Sequence, residues 1–318
     1  MKTIKFHFLP IIFFLLIIIS CSEKSTNQPE EELNDITNPP GIYLYKLVIN
    51  SSGDFFSASR PYLSISTDRG TSWDTLVNPI VEDVYITSND YIFISRIITN
   101  ANVLFRSSDS GNSWTPVLTR YLQLILTKED QDGNIYAYGE NLVKSSDSGN
   151  SWEAIYYSDV REVCIPNNST IVIGVPGTST LTGQIVYSTN NGINWDSTGY
   201  NVNVREFYLY GSLIFAGGRI HNEVGGGVHK SSDNGVTWTS CGLEQTTVSS
   251  FVTDNQQRLF IGTSKGIYFT ADEGEAWQNV LPDSSVTTLM NDKKGFLYAG
   301  TTNGTFLRST DNGRSWHN

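Results

Sequence analysis

Neighbouring charged residues recur at corresponding points of this chain, and their types suit acid–base chemistry or the recognition of an anion. They form three groups, which are Glu82 with Asp83, Arg161 with Glu162, and Arg205 with Glu206. Carboxyl groups act as general acids and bases, and an arginine can hold a carboxylate through two parallel hydrogen bonds. We predict that these groups line one mouth of the protein and bind a ligand there.

A glycine-rich segment supplies a second kind of candidate. It reads GGRIHNEVGGG and contains Arg219, His221 and Glu223, while Arg96 is assigned to an earlier loop. An imidazole between an arginine and a glutamate is a candidate proton-transfer group, because its pKa lies near neutrality. The alternative interpretation is that all these residues are solvated rim charges that form weak surface pairs.

The chain offers few metal ligands. Cys164 and Cys241 have no cysteine or histidine neighbour at metal-ligand spacing, and histidines are rare. The acidic stretch KEDQDGN at 128–134 lacks the remaining ligands of a calcium loop and aligns with a hairpin turn. We therefore expect no metal site and no cofactor, and we expect both cysteines to be free thiols.

One short pattern recurs seven times after residue 41, and it contains every tryptophan of the protein. Its copies are STDRGTSW at 66–73, SSDSGNSW at 107–114 and 145–152, STNNGINW at 188–195, SSDNGVTW at 231–238, TADEGEAW at 270–277 and STDNGRSW at 309–316. Successive tryptophans are 38 to 43 residues apart, which is the length of a four-stranded propeller blade. The spacing predicts an all-β, seven-bladed β-propeller with four strands in each blade.

The pattern resembles the Asp-box, or BNR repeat, of sialidases and related propellers, and the resemblance covers nearly all of residues 41–318. In that family the repeats are structural hairpins away from the active face, which implies a structural role here. The residues concerned are Asp68, Asp109, Asp147, Asn190, Asp233, Asp272, Asp311, Trp73, Trp114, Trp152, Trp195, Trp238, Trp277 and Trp316. Asn190 replaces the usual aspartate and Ala276 a usual hydroxyl residue, so we expect looser turns in blades four and six.

Turn chemistry predicts what each residue of the pattern does. The carboxylate accepts hydrogen bonds from backbone N–H groups, the glycine adopts a positive φ, and the hydroxyl residue ties down the strand. The tryptophan is expected to fill the seam between neighbouring sheets, where burial stabilises a large apolar ring.

Strand alternation separates two faces of the predicted ring. In a blade with strands A to D, the D-to-A and B-to-C connections share one face, and the repeat turns lie on the other. Four of the seven A-strand starts carry charge, at Lys46 and at the three groups named above. Since propellers bind ligands at the face where strands A begin, the predicted mouth lies opposite the repeat turns.

Closure of the ring is less well determined by the sequence. Only two residues follow the last tryptophan, which leaves almost no outer strand for the seventh blade. Residues 34–40 are a candidate to complete that blade, although their prolines are poor ladder donors.

The amino terminus has the pattern of an export signal. Two lysines precede an apolar run at 8–19, which is too short to cross a bilayer. The sequence Ile18-Ile19-Ser20-Cys21 resembles the lipobox of bacterial lipoproteins, which implies that Cys21 carries lipid; an ordinary signal peptide is the alternative. We predict a signal peptide at 1–20, a lipidated cysteine and flexible acidic tether at 21–40, and the propeller at 41–318.

The charge of the chain restricts its partners. Its net charge is −11, and removal of the signal peptide with two lysines would leave −13. No basic patch is evident, which argues against binding to nucleic acid or to an anionic membrane surface. We predict a monomer in the bacterial cell envelope, on the periplasmic face or the outer-membrane surface, held at the membrane by its lipid.

Two functions fit these features. The preferred one is a non-catalytic module for a protein or glycan partner, and the repeat layout resembles that of the seven-bladed photosystem assembly factors, which are binding proteins. The alternative is a glycoside hydrolase of exo-sialidase or xyloglucanase-like type, with carboxyl groups at the mouth as catalysts. However, the Arg-Ile-Pro segment of sialidases is absent, their folds have six blades, and the connections here are too short to frame a xyloglucanase cleft.

Overall fold

The computed structural model describes residues 35–77, 80–99, 101–120, 125–126, 129–177, 183–220, 226–292 and 294–318. Within these ranges the regular structure is entirely β, and residues 35–318 form one compact unit. No helix in this part of the chain is long and apolar enough to cross a bilayer. The predicted signal peptide and Cys21 lie outside the described ranges.

The strands form seven antiparallel sheets, and in every sheet neighbours in space are neighbours in sequence. Blade one contains β1 (Leu44–Ile49), β2 (Phe55–Ser59), β3 (Tyr62–Ser66) and β4 (Asp74–Val77). Blade two contains β5 (Val81–Ile86), β6 (Ile92–Ile98), β7 (Ala101–Ser107) and β8 (Thr115–Arg120). Blade three contains β9 (Ile125–Leu126), β10 (Ile135–Tyr138), β11 (Leu142–Ser145) and β12 (Glu153–Tyr156).

The remaining blades repeat this meander. Blade four contains β13 (Glu162–Asn167), β14 (Thr170–Val175), β15 (Gln184–Ser188) and β16 (Asp196–Asn201). Blade five contains β17 (Val204–Tyr210), β18 (Leu213–Gly218), β19 (Gly227–Ser231) and β20 (Thr239–Ser240). Blade six contains β21 (Val248–Thr253), β22 (Leu259–Thr263), β23 (Gly266–Thr270) and β24 (Gln278–Pro282), and blade seven contains β25 (Val286–Asn291), β26 (Leu297–Thr301) and β27 (Phe306–Ser309). The predicted seven-bladed β-propeller is confirmed.

Burial follows the position of a strand within its blade. The second strands β2, β22 and β26 are buried at every residue, because neighbouring blades cover both faces of the sheet. The fourth strands are the most exposed, as β16 and β24 show. This gradient explains the continuous apolar runs of the second strands and the polar residues that follow each tryptophan.

The repeat turns close as their chemistry predicts. In blade one, Asp68 Oδ1 accepts hydrogen bonds from the Ser66 hydroxyl at 2.8 Å and the Ser72 N–H at 2.8 Å. Asp68 Oδ2 accepts the Ser72 hydroxyl at 2.6 Å, and Ser66 Oγ accepts the Gly70 N–H at 2.7 Å. The same four bonds recur in blades two, three, five and seven.

Blades four and six have the two altered turns. Asn190 Oδ1 still accepts the Ser188 hydroxyl at 3.0 Å and the Asn194 N–H at 2.9 Å. Asp272 Oδ1 likewise accepts the Ala276 N–H at 3.0 Å. Neither turn has the last side-chain hydroxyl bond, since Asn194 and Ala276 replace the serine or threonine. The looser packing expected for these blades therefore remains a prediction, with this missing bond as its physical basis.

The turn of blade seven provides a test of this chemistry. Burial alone would raise the pKa of Asp311, but hydrogen bonds from Ser315 and Ser309 outweigh it and lower the pKa to about 2. A carboxyl group with a depressed folded-state pKa stabilises the protein above its unfolded pKa of about 4 and loses that contribution as the pH falls. We expect Asp311→Asn to lower the free energy of unfolding by about 1 kcal/mol at pH 7.

The pH dependence of that loss distinguishes a charge effect from a steric one. Urea unfolding should show the deficit of Asp311→Asn shrinking as the pH falls from about 4 towards 2, because the wild-type carboxylate becomes protonated. Asp74→Asn is the control, since Asp74 is an exposed residue at the start of β4. An equal deficit at every pH would contradict the proposed role of the charge.

Each repeat turn contains two consecutive residues in the left-handed region. The glycines have φ between 79° and 89°, and the residues before them have φ between 57° and 60°. This is the twist of a type I′ hairpin. The glycines also allow close packing, because a Cβ on Gly70 would lie 2.4 Å from Phe306 Cε1 of blade seven.

The tryptophans lie in the seams between blades, as predicted. Trp195 Nε1 donates to the Ile155 carbonyl at 3.1 Å, and Trp277 Nε1 donates to the Cys241 carbonyl at 2.9 Å; both acceptors belong to the preceding blade. Only Trp238 is fully buried, whereas the other six are half-buried. Each of the six half-buried indoles therefore stabilises the fold by less than a fully buried indole would.

The ring closes through the segment that precedes blade one. The Thr37 carbonyl accepts Trp73 Nε1 at 3.0 Å, which is the place that Ile155 and Cys241 hold in other seams. Asn38 Oδ1 accepts the Phe306 N–H at 2.8 Å. Residues 36–38 thus occupy the edge of blade seven, as the sequence suggested, but they form no ladder strand there.

Blade seven completes its own edge only in part. A single bridge joins Arg308 to His317, with N–H to carbonyl distances of 2.7 and 2.9 Å. Ile36 fills the remaining apolar gap, since it is buried in one cluster with Phe306. On the inner side, the Leu47 N–H donates to Thr288 Oγ1 at 3.3 Å and joins blades one and seven.

Candidate functional site

A cavity of about 910 Å³ lies where the first strands of the blades converge, on the face opposite the repeat turns. Seven of the ten predicted mouth residues line it: Glu82, Asp83, Arg161, Glu162, Arg205, Glu206 and Arg219. Its volume lies within the range of ligand pockets, which is about 300–1,000 Å³. The structure thus brings the three charged groups together, and their role in binding remains a prediction.

Arg96 is the one other predicted residue that the structure describes, and it does not line the cavity. Arg96 was expected in a loop, but β6 extends to Ile98 and makes Arg96 part of a strand paired with Val81 and Val103. Its guanidinium lies over the Phe105 ring, with Cζ 5.4 Å from the centroid. Arg96 thus belongs to a strand and does not line the cavity, and its role at the mouth remains a prediction. His221 and Glu223 lie outside the described residues.

Lys46 is a cation of the cavity that was not among the predicted mouth residues. Its Nζ lies 3.4 Å from Asp83 Oδ1. Burial alone would lower the pKa of Lys46, but the carboxylates of Asp83, Glu206 and Glu162 outweigh it and hold the pKa above its usual value. Three acids at the strand starts therefore act on the charge of one ammonium group. The signal for Lys46 was present in the sequence, because it occupies the same strand position as those acids.

Removal of this ammonium group should expose the repulsion among the acids. A raised folded-state pKa means that Lys46 stabilises the protein below its unfolded pKa of about 10.4 and ceases to do so as the pH rises through the folded value. We expect Lys46→Met to lower the free energy of unfolding by about 1–2 kcal/mol at pH 7, a discounted figure because 37% of the side chain is exposed.

Thermal unfolding at pH 7 and pH 11 measures this effect. The deficit of Lys46→Met should be larger at pH 7 than at pH 11, because the stabilisation by Lys46 declines once the pH exceeds the unfolded-state pKa of about 10.4. Lys265→Met is a matched control, since Lys265 is exposed in the turn between β22 and β23. A neutral effect at pH 7 would show that the acids do not depend on Lys46.

Other acids of the cavity also have partners. Glu82 Oε2 accepts Arg60 Nη2 at 2.5 Å, and Glu162 Oε2 accepts the Tyr138 hydroxyl at 2.7 Å. Burial and the charge of Glu162 raise the pKa of Tyr138 well above 10, so its hydroxyl stays protonated as a donor. Glu82 Oε1 is buried and makes no hydrogen bond within the described part of the chain.

The arginines of blades four and five differ from these acids. Among the described residues, Arg161, Arg205 and Arg219 form no ion pair. Burial and the charge of the neighbouring Arg219 lower the pKa of Arg205. The carboxylates of Glu206 and Glu162 offset this effect only in part. A bound anion would neutralise this repulsion and accept the free guanidinium hydrogens.

The balance of charge in the cavity is opposite to that of the protein. Its lining carries five cations and four anions, namely Lys46, Arg60, Arg161, Arg205 and Arg219 against Glu82, Asp83, Glu162 and Glu206. The whole chain has a net charge of −11. Folding thus gathers arginines that are far apart in the sequence, and the lining carries one more cation than anions.

No metal centre is formed by the described side chains. Among them, no group of three or more histidine, cysteine, aspartate and glutamate residues is arranged to hold a metal ion. The acidic stretch considered as a calcium loop instead closes the hairpin between β9 and β10. There Asp130 Oδ1 accepts the N–H groups of Asp132 at 3.0 Å and Asn134 at 2.9 Å.

Similarity to known proteins is found in structure rather than in sequence. No protein-family model matches the chain, and no curated protein sequence matches it. The extracellular domain of the putative hybrid two-component system BT4673 from B. thetaiotaomicron aligns with a TM-score of 0.67 and 11% identity, over 87% of this chain and 39% of that one. This chain thus spans about two-fifths of that structure.

Two further solved structures have the same fold. YCF48 bound to D1 peptide aligns with a TM-score of 0.65 and 12% identity, over 88% of this chain and 96% of that one. The GH74 xyloglucanase from Xanthomonas campestris aligns with a TM-score of 0.68 and 13% identity, over 88% of this chain and 54% of that one. At such identities the similarity shows the propeller fold alone.

Proposed function

We propose that this chain is an exported, lipid-anchored propeller that binds a protein or glycan partner at its cavity and performs no chemistry there. The observation that carries this proposal is the pairing within the cavity. Lys46 and Arg60 neutralise Asp83 and Glu82, whereas Arg161 and Arg205 stay unpaired. A glycosidase requires one carboxyl group as a proton donor and a second as a base or nucleophile, and two of the four carboxyl groups here are instead held by cations.

Structural neighbours support binding without excluding hydrolysis. One neighbour is YCF48 bound to a D1 peptide, and another is the extracellular domain of BT4673. The GH74 xyloglucanase shares the fold and cleaves a polysaccharide. Fold alone does not decide between these activities, so the proposal rests on the arrangement of charges in the cavity.

The position of Thr37, near the start of the described chain, favours a cavity that faces away from a membrane. Thr37 N–H donates to the Gly70 carbonyl at 2.7 Å, and Thr37 Oγ1 donates to the Thr71 carbonyl at 3.0 Å, so this segment starts beside a repeat turn. A lipid on Cys21 would attach on that side. The intervening residues would span at most about 45–50 Å, and the cavity would open on the opposite face.

Binding and turnover are tested on the same protein. The full chain, purified in detergent, is incubated with sialosides and with plant and host oligosaccharides, and products are measured by mass. The same preparation is applied to a glycan array and to a peptide library. We expect bound ligands without turnover. Hydrolysis that Glu162→Gln or Glu206→Gln abolishes would establish the glycosidase instead, and a protein that neither binds nor cleaves would contradict the proposal.

A further inference from the structure

Exposed aliphatic side chains form a patch beside the cavity. Five of the eight large hydrophobic side chains exposed in the described part of the chain lie on the mouth face of blades one and two. They are Ile42, Tyr43, Ile80, Ile97 and Ile98, with exposed fractions of 70%, 48%, 39%, 46% and 39%. We call this set the isoleucine rim. A contiguous apolar patch with polar surroundings is typical of an interaction surface.

Backbone pairing makes the rim continuous with the cavity. The Ile42 N–H donates to the Arg60 carbonyl at 2.9 Å, and the Arg60 N–H donates to the Tyr43 carbonyl at 3.1 Å. Arg60 lines the cavity and binds Glu82. Ile80 and Ile97 each lie one residue beyond the paired residues Val81 and Arg96. The rim therefore borders the cavity along its Arg60 side.

The unpaired arginines lie on the other side of the same opening. Arg161 precedes β13 of blade four, Arg205 belongs to β17 of blade five, and Arg219 directly follows β18 of the same blade. In a ring of seven blades, blades four and five stand across the axis from blades one and two. A ligand that contacts both the rim and these arginines must therefore extend across the cavity.

We propose that the rim and the cavity together bind an extended polypeptide segment that carries acidic residues at one end and aliphatic residues at the other. This inference rests on the proposed binding function and specifies its ligand. The acidic end complements the unpaired Arg161, Arg205 and Arg219, and the aliphatic end covers the isoleucine rim.

One feature favours a polypeptide over a glycan. Four of the five rim residues are isoleucines, which pack against aliphatic side chains and lack the flat aromatic face that a sugar ring would cover.

Selection from a random twelve-residue peptide library tests this inference. The full chain in detergent is immobilised, and bound peptides are sequenced. We expect enrichment of aspartate and glutamate near one end and of isoleucine, leucine and valine near the other. Arg161→Glu combined with Arg205→Glu should abolish the acidic preference, and Ile97→Ser combined with Ile98→Ser should abolish the aliphatic one.

Matched substitutions on the opposite face control for general effects. Arg314→Glu and Ile193→Ser change an exposed arginine and an exposed isoleucine within repeat turns, and neither should alter the selected sequences. The rim variant should weaken the binding of a selected peptide about 10-fold or more, with the controls unchanged.

The outcomes separate this inference from the proposed function. Selected peptides without an acidic preference, or selection that the cavity and rim variants leave unchanged, would overturn the inference. Binding to a glycan array that depends on Arg205, without any peptide selection, would overturn it as well and would leave the proposed binding function intact. Failure to bind peptide or glycan would overturn both.

Discussion

A chain that begins at Gly41 should unfold at a lower urea concentration than one that begins at Asp35, with a free energy of unfolding lower by about 4 kcal/mol. The shorter chain lacks Ile36, whose burial contributes about 2 kcal/mol. It also lacks the Thr37 carbonyl that accepts Trp73 Nε1 and the Asn38 oxygen that accepts the Phe306 N–H, and each bond contributes about 1 kcal/mol.

A point substitution separates closure of the ring from simple shortening. Ile36→Ala in the full chain should account for about half of the loss, because it removes the apolar contact and keeps both hydrogen bonds. Glu140→Ala, in the turn between β10 and β11 of blade three, should be nearly neutral. If the two chain lengths unfold at the same urea concentration, residues 35–40 do not close the ring.

Reversal of two arginines should have the largest effect on binding. Arg161→Glu together with Arg205→Glu is expected to weaken a selected acidic peptide about 100-fold or more, because the ligand carboxylates would then face carboxylates. Both side chains line the cavity and remain in contact with solvent, so the change does not disturb a packed core. Fluorescence anisotropy with a labelled peptide measures the loss.

Salt and a distant reversal provide the controls for this prediction. Affinity of the wild-type protein should fall as the ionic strength is raised from about 0.05 M to 0.5 M, and the residual affinity of the double variant should change much less. Arg314→Glu makes the same chemical change at an exposed position in the repeat turn of blade seven. If Arg205→Glu and Arg314→Glu bound the selected peptide with equal affinity, the cavity would not be the peptide-binding site.

The repeat made the architecture predictable from the sequence. Each copy combines an aspartate, a glycine and a tryptophan whose roles are local, and Asp68 with Ser66 and Ser72 shows that the turn forms within eight residues. Copy number and spacing then determine the number of blades. The partial burial of the tryptophans was not predictable, because it depends on the outer strands of two neighbouring blades.

Long-range pairing limited what the sequence could reveal about closure and the site. Thr37 replaces an outer-strand residue of blade seven, and nothing in its local sequence indicates this role. Arg161 and Arg205 were found by aligning strand starts, whereas their lack of ion pairs depends on where Lys46 and Arg60 place their charges. Arg96 was expected in a loop but belongs to β6, because the length of that strand is set by pairing with its neighbours.

Hydrogen–deuterium exchange of the full chain, with and without a selected peptide, tests directly whether the cavity is the binding site. We expect protection at the first residues of β1, β5, β13 and β17, which line the cavity, and at the isoleucine rim, with no change in the repeat turns. Protection confined to the repeat turns or to the outer strands β16 and β24 would show that the ligand binds elsewhere.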